Sequence, residues 1–310
     1  MAARGSIHLS DNLEVMRAIR SGSIDLVYLD PPFNTGKRQS RTRLRTPRAQ
    51  AGGGDRTGFA GRRYRSIPLG TLSFADLFDD YLAFLEPRLV EAHRVLAANG
   101  TLYVHLDCRE VHYVKVLLDA IFGRESFLNE LIWSYDFGGR TRRRWAPKHD
   151  DILVYVKDRE RYHFDASTVD RIPYLAPGLV GPAKAARGKL PTDSWWSTIV
   201  PTGGAERTGY PTQKPLRVAR RIVTASSRPG DLVLDGFAGS GTTGAACLEL
   251  GRRFVLVDDN PEALRVMARR FAGVDGLDWH GFAPAGQRAR RLSHSIVAPR
   301  CQVPRRPLPG

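Results

Sequence analysis

Cysteine is nearly absent: Cys108, Cys247 and Cys301 are all that 310 residues contain. Their spacing fits neither a metal knuckle nor a disulfide framework, so no metal site is expected, a packed core must hold the fold, and a reducing cytoplasm suits it. Long apolar runs are missing too. No stretch approaches the ~20 residues that a membrane-spanning helix needs. Met1-Ala2-Ala3-Arg4 leads straight into a strand-like segment, without a secretory signal pattern. A membrane partner is therefore not expected. The third shortage is negative charge. Asp and Glu number 32 against 47 Lys and Arg, a net charge of +15. That imbalance points to a polyanionic partner and has no bearing on the fold.

What is present is enough for one large α/β core with an insert, at 42% hydrophobic residues. Ser6-Ile7-His8-Leu9 reads as a short strand. Asp11-Asn12-Leu13-Glu14 opens a helix with Ser10 or Asp11 as N-cap, and Ser21-Gly22-Ser23 breaks it. Ile24-Asp25-Leu26-Val27-Tyr28 has the length and composition of a buried strand. A long amphipathic helix is expected from Ser73 to Leu96, ended by Asn99-Gly100. Further strands are expected at 101–106, 128–133, 152–156, 231–235 and 254–257. Helices are expected through Val111 to Ile121, after Pro215, after Gly241 (with Cys247 as a small core residue) and from 261 to 271. Strands alternating with helices indicate an α/β fold, a mixed and mostly parallel sheet with helices on both faces.

Leu29-Asp30-Pro31-Pro32-Phe33 closes the second of these strands. Neither proline has an N–H for the ladder, so the strand must stop. A carboxylate, a stiff bend and an aromatic ring are left at a strand's carboxyl end, where open α/β sheets bind ligands. A carboxylate and a carbonyl can accept both hydrogens of one exocyclic amine, and a ring beside them can stack on a nucleobase. The plain alternative is a strand-ending turn with a capping acid.

Near the other end, Asp235-Gly236-Phe237-Ala238-Gly239-Ser240-Gly241-Thr242-Thr243-Gly244 forms a strand end, a glycine-rich turn and a helix start. Its glycines match the dinucleotide fingerprint, and Asp258 stands where that fingerprint asks for an acid on ribose hydroxyls. The motif alone does not separate NAD from S-adenosylmethionine. Three features favour the latter. Asp235 would repel a pyrophosphate and suits an ammonium or sulfonium. The unit stands too late in the chain for a second nucleotide-binding half to follow. Asp30-Pro31-Pro32-Phe33 has no task in a dehydrogenase.

Two stretches concentrate positive charge. From Gly36 to Arg65, Lys37, Arg38, Arg41, Arg43, Arg45, Arg48, Arg56, Arg62, Arg63 and Arg65 face only Asp55. This composition cannot build a core, so a mobile loop is expected, either an arm that neutralises phosphates or a solvated insertion. The second stretch is Gly138-Gly139-Arg140-Thr141-Arg142-Arg143-Arg144-Trp145, where arginines beside aromatics suit nucleic acid. Beyond Val156 regular patterning weakens up to Trp195-Trp196, which also suits a tryptophan-anchored irregular subdomain.

Taken in order, Ser10-Asp11-Asn12-Leu13-Glu14, Leu29-Asp30-Pro31-Pro32-Phe33-Asn34-Thr35-Gly36, Tyr210-Pro211-Thr212-Gln213-Lys214-Pro215 and Asp235 to Thr243 resemble the beta class of DNA amino-methyltransferases. That class places the catalytic motif first, target recognition in the middle and the cofactor glycines last. The resemblance implies a Rossmann-like S-adenosylmethionine-dependent methyltransferase fold. It implies Asp30, Pro31, Pro32 and Phe33 as the catalytic motif, and Asp235, Gly236, Phe237, Gly239, Ser240, Gly241, Thr242 and Thr243 as the methionine-moiety loop. It also implies Asp258 on the ribose, Asp11 and Asn12 near the cofactor's adenine, and Gln213, Lys214 and Pro215 opening a helix that closes over the cofactor. Tyr210 stands where many relatives have His, and Gly236 where many have Pro. The implied division is a catalytic domain of residues 1–135 and 197–282 bearing the basic loop 36–66, a target-recognition region at 136–196, and a basic, Pro-rich tail at 283–310. Double-stranded DNA is the implied partner, contacted through Lys37, Arg38, Arg41, Arg43, Arg140, Arg142, Arg143 and Arg144, with a cognate restriction endonuclease and a homodimer as further partners. Asp rather than Ser before Pro-Pro leans towards N6 of adenine, with N4 of cytosine as the alternative. From other classes, an inactive DNA-binding protein and an NAD-linked oxidoreductase stay open.

Overall fold

The computed structural model describes residues 4–45, 56–57, 63–65, 67–76, 78 and 80–284. In chain order the first half holds β1 (Gly5–Leu9), α1 (Asn12–Ala18), β2 (Ile24–Leu29), β3 (Lys37–Arg45), β4 (Arg56–Thr57), β5 (Arg63–Tyr64), β6 (Ile67–Asp76), α2 (Tyr81–Val95), β7 (Leu96–Leu106), α3 (Val111–Phe122) and β8 (Phe127–Ser134). The second half holds β9 (His149–Val156), α4 (Pro182–Arg187), β10 (Ser194–Trp196), α5 (Leu216–Ser226), β11 (Leu232–Asp235), α6 (Thr242–Leu250), β12 (Arg253–Asp258), α7 (Pro261–Arg270) and β13 (Leu277–His280).

The described residues form one nine-stranded sheet in the order β10-β8-β9-β7-β2-β11-β12-β1-β13. From β7 to β13 every pairing is parallel; β9 runs antiparallel to both β7 and β8. The sequence dictates burial on both faces. In β2, Leu26 and Tyr28 join one core cluster while Val27 and Leu29 join the other. This is the period-2 alternation of a strand covered on each side. α5, α6 and α7 cover the first face through Val218, Ile222, Cys247 and Met267; α1, α2 and α3 cover the second through Met16, Leu89 and Val114. The expected α/β architecture is the observed one.

Two expectations are corrected. The stretch read as a mobile loop after Gly36 carries a strand instead: β3 pairs antiparallel with β6 from Lys37 opposite Asp76 to Arg45 opposite Ile67. Charge masks the strand, because its period-2 signal is carried by polar residues. Arg48 and Arg62 lie outside the described residues. Second, the amphipathic helix does not begin at Ser73. Residues up to Asp76 belong to β6, and Asp80 caps α2 by accepting the Ala83 N–H at 2.9 Å. The 136–196 stretch contains β9, which includes the strand expected at 152–156, and its parts outside the sheet are 136–148 and 157–193, the latter holding α4. The second segment is pinned by Trp195 under Arg221, whose guanidinium also forks onto Asp170 at 2.7 and 2.8 Å. The Pro-rich tail beyond 284 lies outside the described residues.

Candidate active site

β2 and β11 are neighbours in parallel, with Asp235 paired opposite Tyr28. Asp30 and Asp235 therefore emerge side by side at the carboxyl edge of the sheet. β12 adds Asp258 at its own end, and β1, paired with β12 up to Leu9 opposite Asp258, leads into Asp11. Four acid-tipped strand ends from opposite ends of the chain thus line one cavity of about 330 Å³. That volume lies in the usual range for small-molecule pockets, roughly 300–1,000 Å³.

One end of the cavity is built by backbone. Gly239 has φ +50° and Gly241 φ +72°, the left-handed region that glycine enters without strain. A Cβ on Gly239 would lie 3.2 Å from the Tyr210 ring, and one on Gly241 only 2.8 Å from Met267. The Gly239 N–H donates to Asp258 Oδ2 at 2.7 Å, and the Asn260 N–H to Oδ1 at 2.9 Å. Asn12 joins the two sequence halves: its amide donates to the Gly236 carbonyl at 2.7 Å and accepts from Arg88 Nε at 2.7 Å. Asp11 caps α1 through the Leu13 N–H at 2.7 Å and pairs with Arg88 at 2.9 Å.

Burial pushes the Asp235 carboxyl up to about 7, against hydrogen bonds from Thr243 and the Phe237 N–H. Burial likewise raises Asp258 to about 7. Among the described residues neither acid has a salt-bridge partner. Two dehydrated acids beside a cavity favour a ligand that brings positive charge to one and hydroxyl donors to the other. The amino-acid end and the ribose of S-adenosylmethionine have that chemistry, so the donor set fits this cofactor.

The other end centres on Asp30. Its Oδ1 accepts from the Lys214 ammonium at 3.0 Å, and the same ammonium lies 3.4 Å from Asp150 Oδ2 and 4.4 Å above the Phe33 ring. Burial opposes a charged Lys214, but Asp30 and Asp150 outweigh it and raise its pKa above the ordinary lysine value. Burial also opposes ionisation of Asp150. Lys214, His105 and Tyr135 outweigh it and hold that carboxyl well below the usual carboxylate range.

A DNA methylase family model (N6_N4_Mtase) matches residues 24–269. The chain belongs to the DNA methylase family. The family comprises S-adenosylmethionine-dependent amino-methyltransferases of the adenine-N6 and cytosine-N4 types. Among curated relatives, the type II methyltransferase M.HpaI of Haemophilus parainfluenzae is 28% identical over 290 residues, 94% of this chain and 80% of its own. The DNA adenine methyltransferase YhdJ of Escherichia coli K12 is 31% identical over 276 residues, 86% of this chain and 82% of its own. Among solved structures, the cytosine-N4-specific PvuII DNA methyltransferase superposes with a TM-score of 0.58 at 17% identity, covering 89% of each chain. Among the described residues no helix is long and apolar enough to cross a membrane.

In this DNA methylase most sequence-predicted site residues line the one cavity. Pro215 and Gly241 do not; they cap α5 and α6 behind its wall. Gln213 lines it, yet its amide is engaged by the Thr208 N–H and hydroxyl and by the Glu206 carbonyl. The Lys214 ammonium sits with Asp30, while its backbone carbonyl accepts from the Thr242 hydroxyl at 3.2 Å, where the glycine turn enters α6. Arg140, Arg142, Arg143 and Arg144 are exposed on the loop between β8 and β9, with Trp145 97% and Phe137 64% exposed. The loop's first residue is tied to the Lys214 cluster, since the Tyr135 hydroxyl donates to Asp150 Oδ1 at 2.8 Å. β3, which carries Lys37, Arg38, Arg41 and Arg43, starts directly after Gly36, and its partner β6 ends at Asp76, a cavity residue.

Sequence reasoning missed Arg88, His105 and Asp150. His105 had a signal, a lone imidazole inside the apolar run Leu102 to Leu106. Arg88 and Asp150 had none, because the side chains that define their roles are remote in sequence: Asn12 and Asp11 lie 76 and 77 positions from Arg88, and His105 and Lys214 lie 45 and 64 positions from Asp150.

Proposed function

We propose that this chain transfers a methyl group from S-adenosylmethionine to N6 of an adenine extruded from double-stranded DNA. The observation that carries the reading is the convergence of Asp30 and Asp235 on one cavity from adjacent parallel strands. When bound, S-adenosylmethionine supplies a methyl group made electrophilic by its sulfonium. The residues fitted to hold it are Asp235 at the ammonium, the Gly236–Gly239 turn along the methionine chain and Asp258 at the ribose. Asp11 is engaged with Arg88 and the α1 N-terminus, so its part is to brace the wall at the adenine end.

The amine of adenine is a poor nucleophile, because its lone pair is delocalised into the ring. Asp30 and the Pro31 carbonyl accept its two N–H bonds, draw the nitrogen towards tetrahedral geometry and localise the lone pair. Pro32 cannot turn an N–H back into the sheet, which leaves the Pro31 carbonyl at the strand end. Phe33 stacks on the base and offsets an unstacking cost of a few kcal/mol. Positioning and fixed charge do most of the work. Asp before Pro-Pro, and the 31% identity to an adenine methyltransferase, support adenine over cytosine.

The catalytic unit is residues 1–135 and 197–282. Target recognition belongs to segments within 136–196, with Arg140, Arg142, Arg143 and Arg144 on phosphates and base edges, and with Lys37, Arg38, Arg41 and Arg43 of β3 as further phosphate contacts. The likeness to the type II enzyme M.HpaI supports a cognate restriction endonuclease as functional partner, with the cytoplasm as the place of action. The test is to treat unmethylated DNA with enzyme and S-adenosylmethionine, digest it to nucleosides and weigh them. N6-methyladenine is the expected product. N4-methylcytosine would reassign the base, and no methylated nucleoside would refute the reading.

A further inference from the structure

The Lys214 ammonium, on a side chain 11% exposed, bridges two acids. Only one of them, Asp30, has a task in holding an amine. Asp150 is 9% exposed, on a strand that takes no part in holding the base. Its surroundings keep it still. An ionised carboxylate only accepts, so His105 must carry its proton on Nε2 to bond Asp150 Oδ2 at 3.1 Å. Nδ1 of His105 is then an acceptor, and the buried Tyr28 hydroxyl donates to it at 2.8 Å. The Tyr135 hydroxyl fixes the other oxygen, Oδ1, at 2.8 Å. A chain of hydrogen bonds thus runs from β2 through β7 to β9 and ends on Lys214.

An ammonium beside a single carboxylate settles where both oxygens attract it. A second carboxylate on its far side draws it off. Here the ammonium meets Asp30 through Oδ1, and among the described residues no donor is placed on Oδ2. We propose that Asp150 is a positioning residue: by sharing the Lys214 ammonium it keeps one oxygen of Asp30 free for the target amine. The same bridge holds the ammonium over Phe33, so carboxylate and stacking ring are set by one contact. This rests on the reading of Asp30 as the amine's acceptor.

Asp150→Asn keeps the shape and an acceptor oxygen and removes the charge. Wild type and variant are compared on a duplex that carries the mapped methylation site. Three readouts are taken: steady-state transfer, equilibrium binding of labelled S-adenosylmethionine, and fluorescence of 2-aminopurine at the target position. That analogue lacks the 6-amine, so it reports base extrusion without needing Asp30. In D150N, kcat is expected to fall about tenfold or more, while cofactor affinity, the KM for DNA and the fluorescence stay within about twofold. Tyr135→Phe, which removes one hydrogen bond from Asp150, is expected to lower kcat by about threefold, and it decides the matter should D150N not fold. An unchanged kcat overturns the proposal. So does a joint loss of kcat, cofactor affinity and fluorescence, which would make Asp150 a structural tie. Absence of transfer by the wild-type enzyme would instead overturn the reading of Asp30 itself.

Discussion

Asp235→Asn should make the cofactor-free protein more stable at pH 8 while impairing it as an enzyme. Asp235 is 2% exposed, and burial lifts its carboxyl from 3.8 to about 7. An acid raised in this way binds its proton more tightly when folded. Its contribution to stability is present below about pH 4 and is lost as the pH rises through about 7. The gap between 3.8 and 7 corresponds to about 4 kcal/mol at 1.36 kcal/mol per pH unit, all of it lost by pH 8. Asparagine keeps an acceptor for the Phe237 N–H, 3.0 Å away, and never ionises. At about 2 °C per kcal/mol for a chain of this size, Tm at pH 8 should rise by about 8 °C. At pH 4.5 the gain should shrink to about a quarter, because the folded wild-type acid is then protonated and only the unfolded one is ionised. Asp258 titrates in the same direction in both proteins and cancels in the comparison. Thermal unfolding at the two pH values measures this, and calorimetry with S-adenosylmethionine should show affinity falling at least about tenfold as the ammonium loses its counter-charge. A variant destabilised equally at both pH values would refute the reasoning, since Asp235 would then be a structural acceptor and not a strained acid awaiting a cation.

Two further outcomes follow from the geometry. Phe33→Ala should lower kcat/KM more than Phe33→Tyr does, by about tenfold, because base–aromatic stacking is worth about 1–3 kcal/mol and tyrosine retains it; equal losses in steady-state transfer would remove the ring from the base pocket. Replacing Arg140, Arg142, Arg143 and Arg144 by Ala should flatten the salt dependence of DNA binding by about one unit of slope for each phosphate no longer neutralised. An unchanged slope in fluorescence anisotropy would make that loop a bystander, and the same measurement applies to Lys37, Arg38, Arg41 and Arg43 on β3.

Much of the fold and the site is legible in the residues, and for identifiable reasons. The run Ile24 to Leu29 is apolar on both faces, which only a covered strand requires, and Pro31-Pro32 marks its end without ambiguity. Gly239 and Gly241 announce a turn that no side chain could make, as their φ values bear out. Asp11 reads as a cap because its partner is two residues away. The misreadings share a cause as well. The sequence of β3 carries almost no apolar residues, so Lys37 to Arg45 reads as a charged loop. The Lys214 side chain gives no local sign of its ion pairs, since its neighbours in sequence show only the motif that opens α5. Its actual partners, Asp30 and Asp150, are brought to it by sheet order, with β9 inserted antiparallel beside β7. Pairings of that kind are set by topology and leave no local trace.

The proposed chemistry turns on Asp30 accepting the target amine next to a cofactor held by Asp235. The most direct test measures methyl transfer and S-adenosylmethionine binding side by side for wild type and Asp30→Ala. Loss of transfer by at least about a thousandfold with cofactor affinity nearly unchanged is the predicted result. Transfer at the wild-type rate, or cofactor binding lost together with transfer, would contradict it.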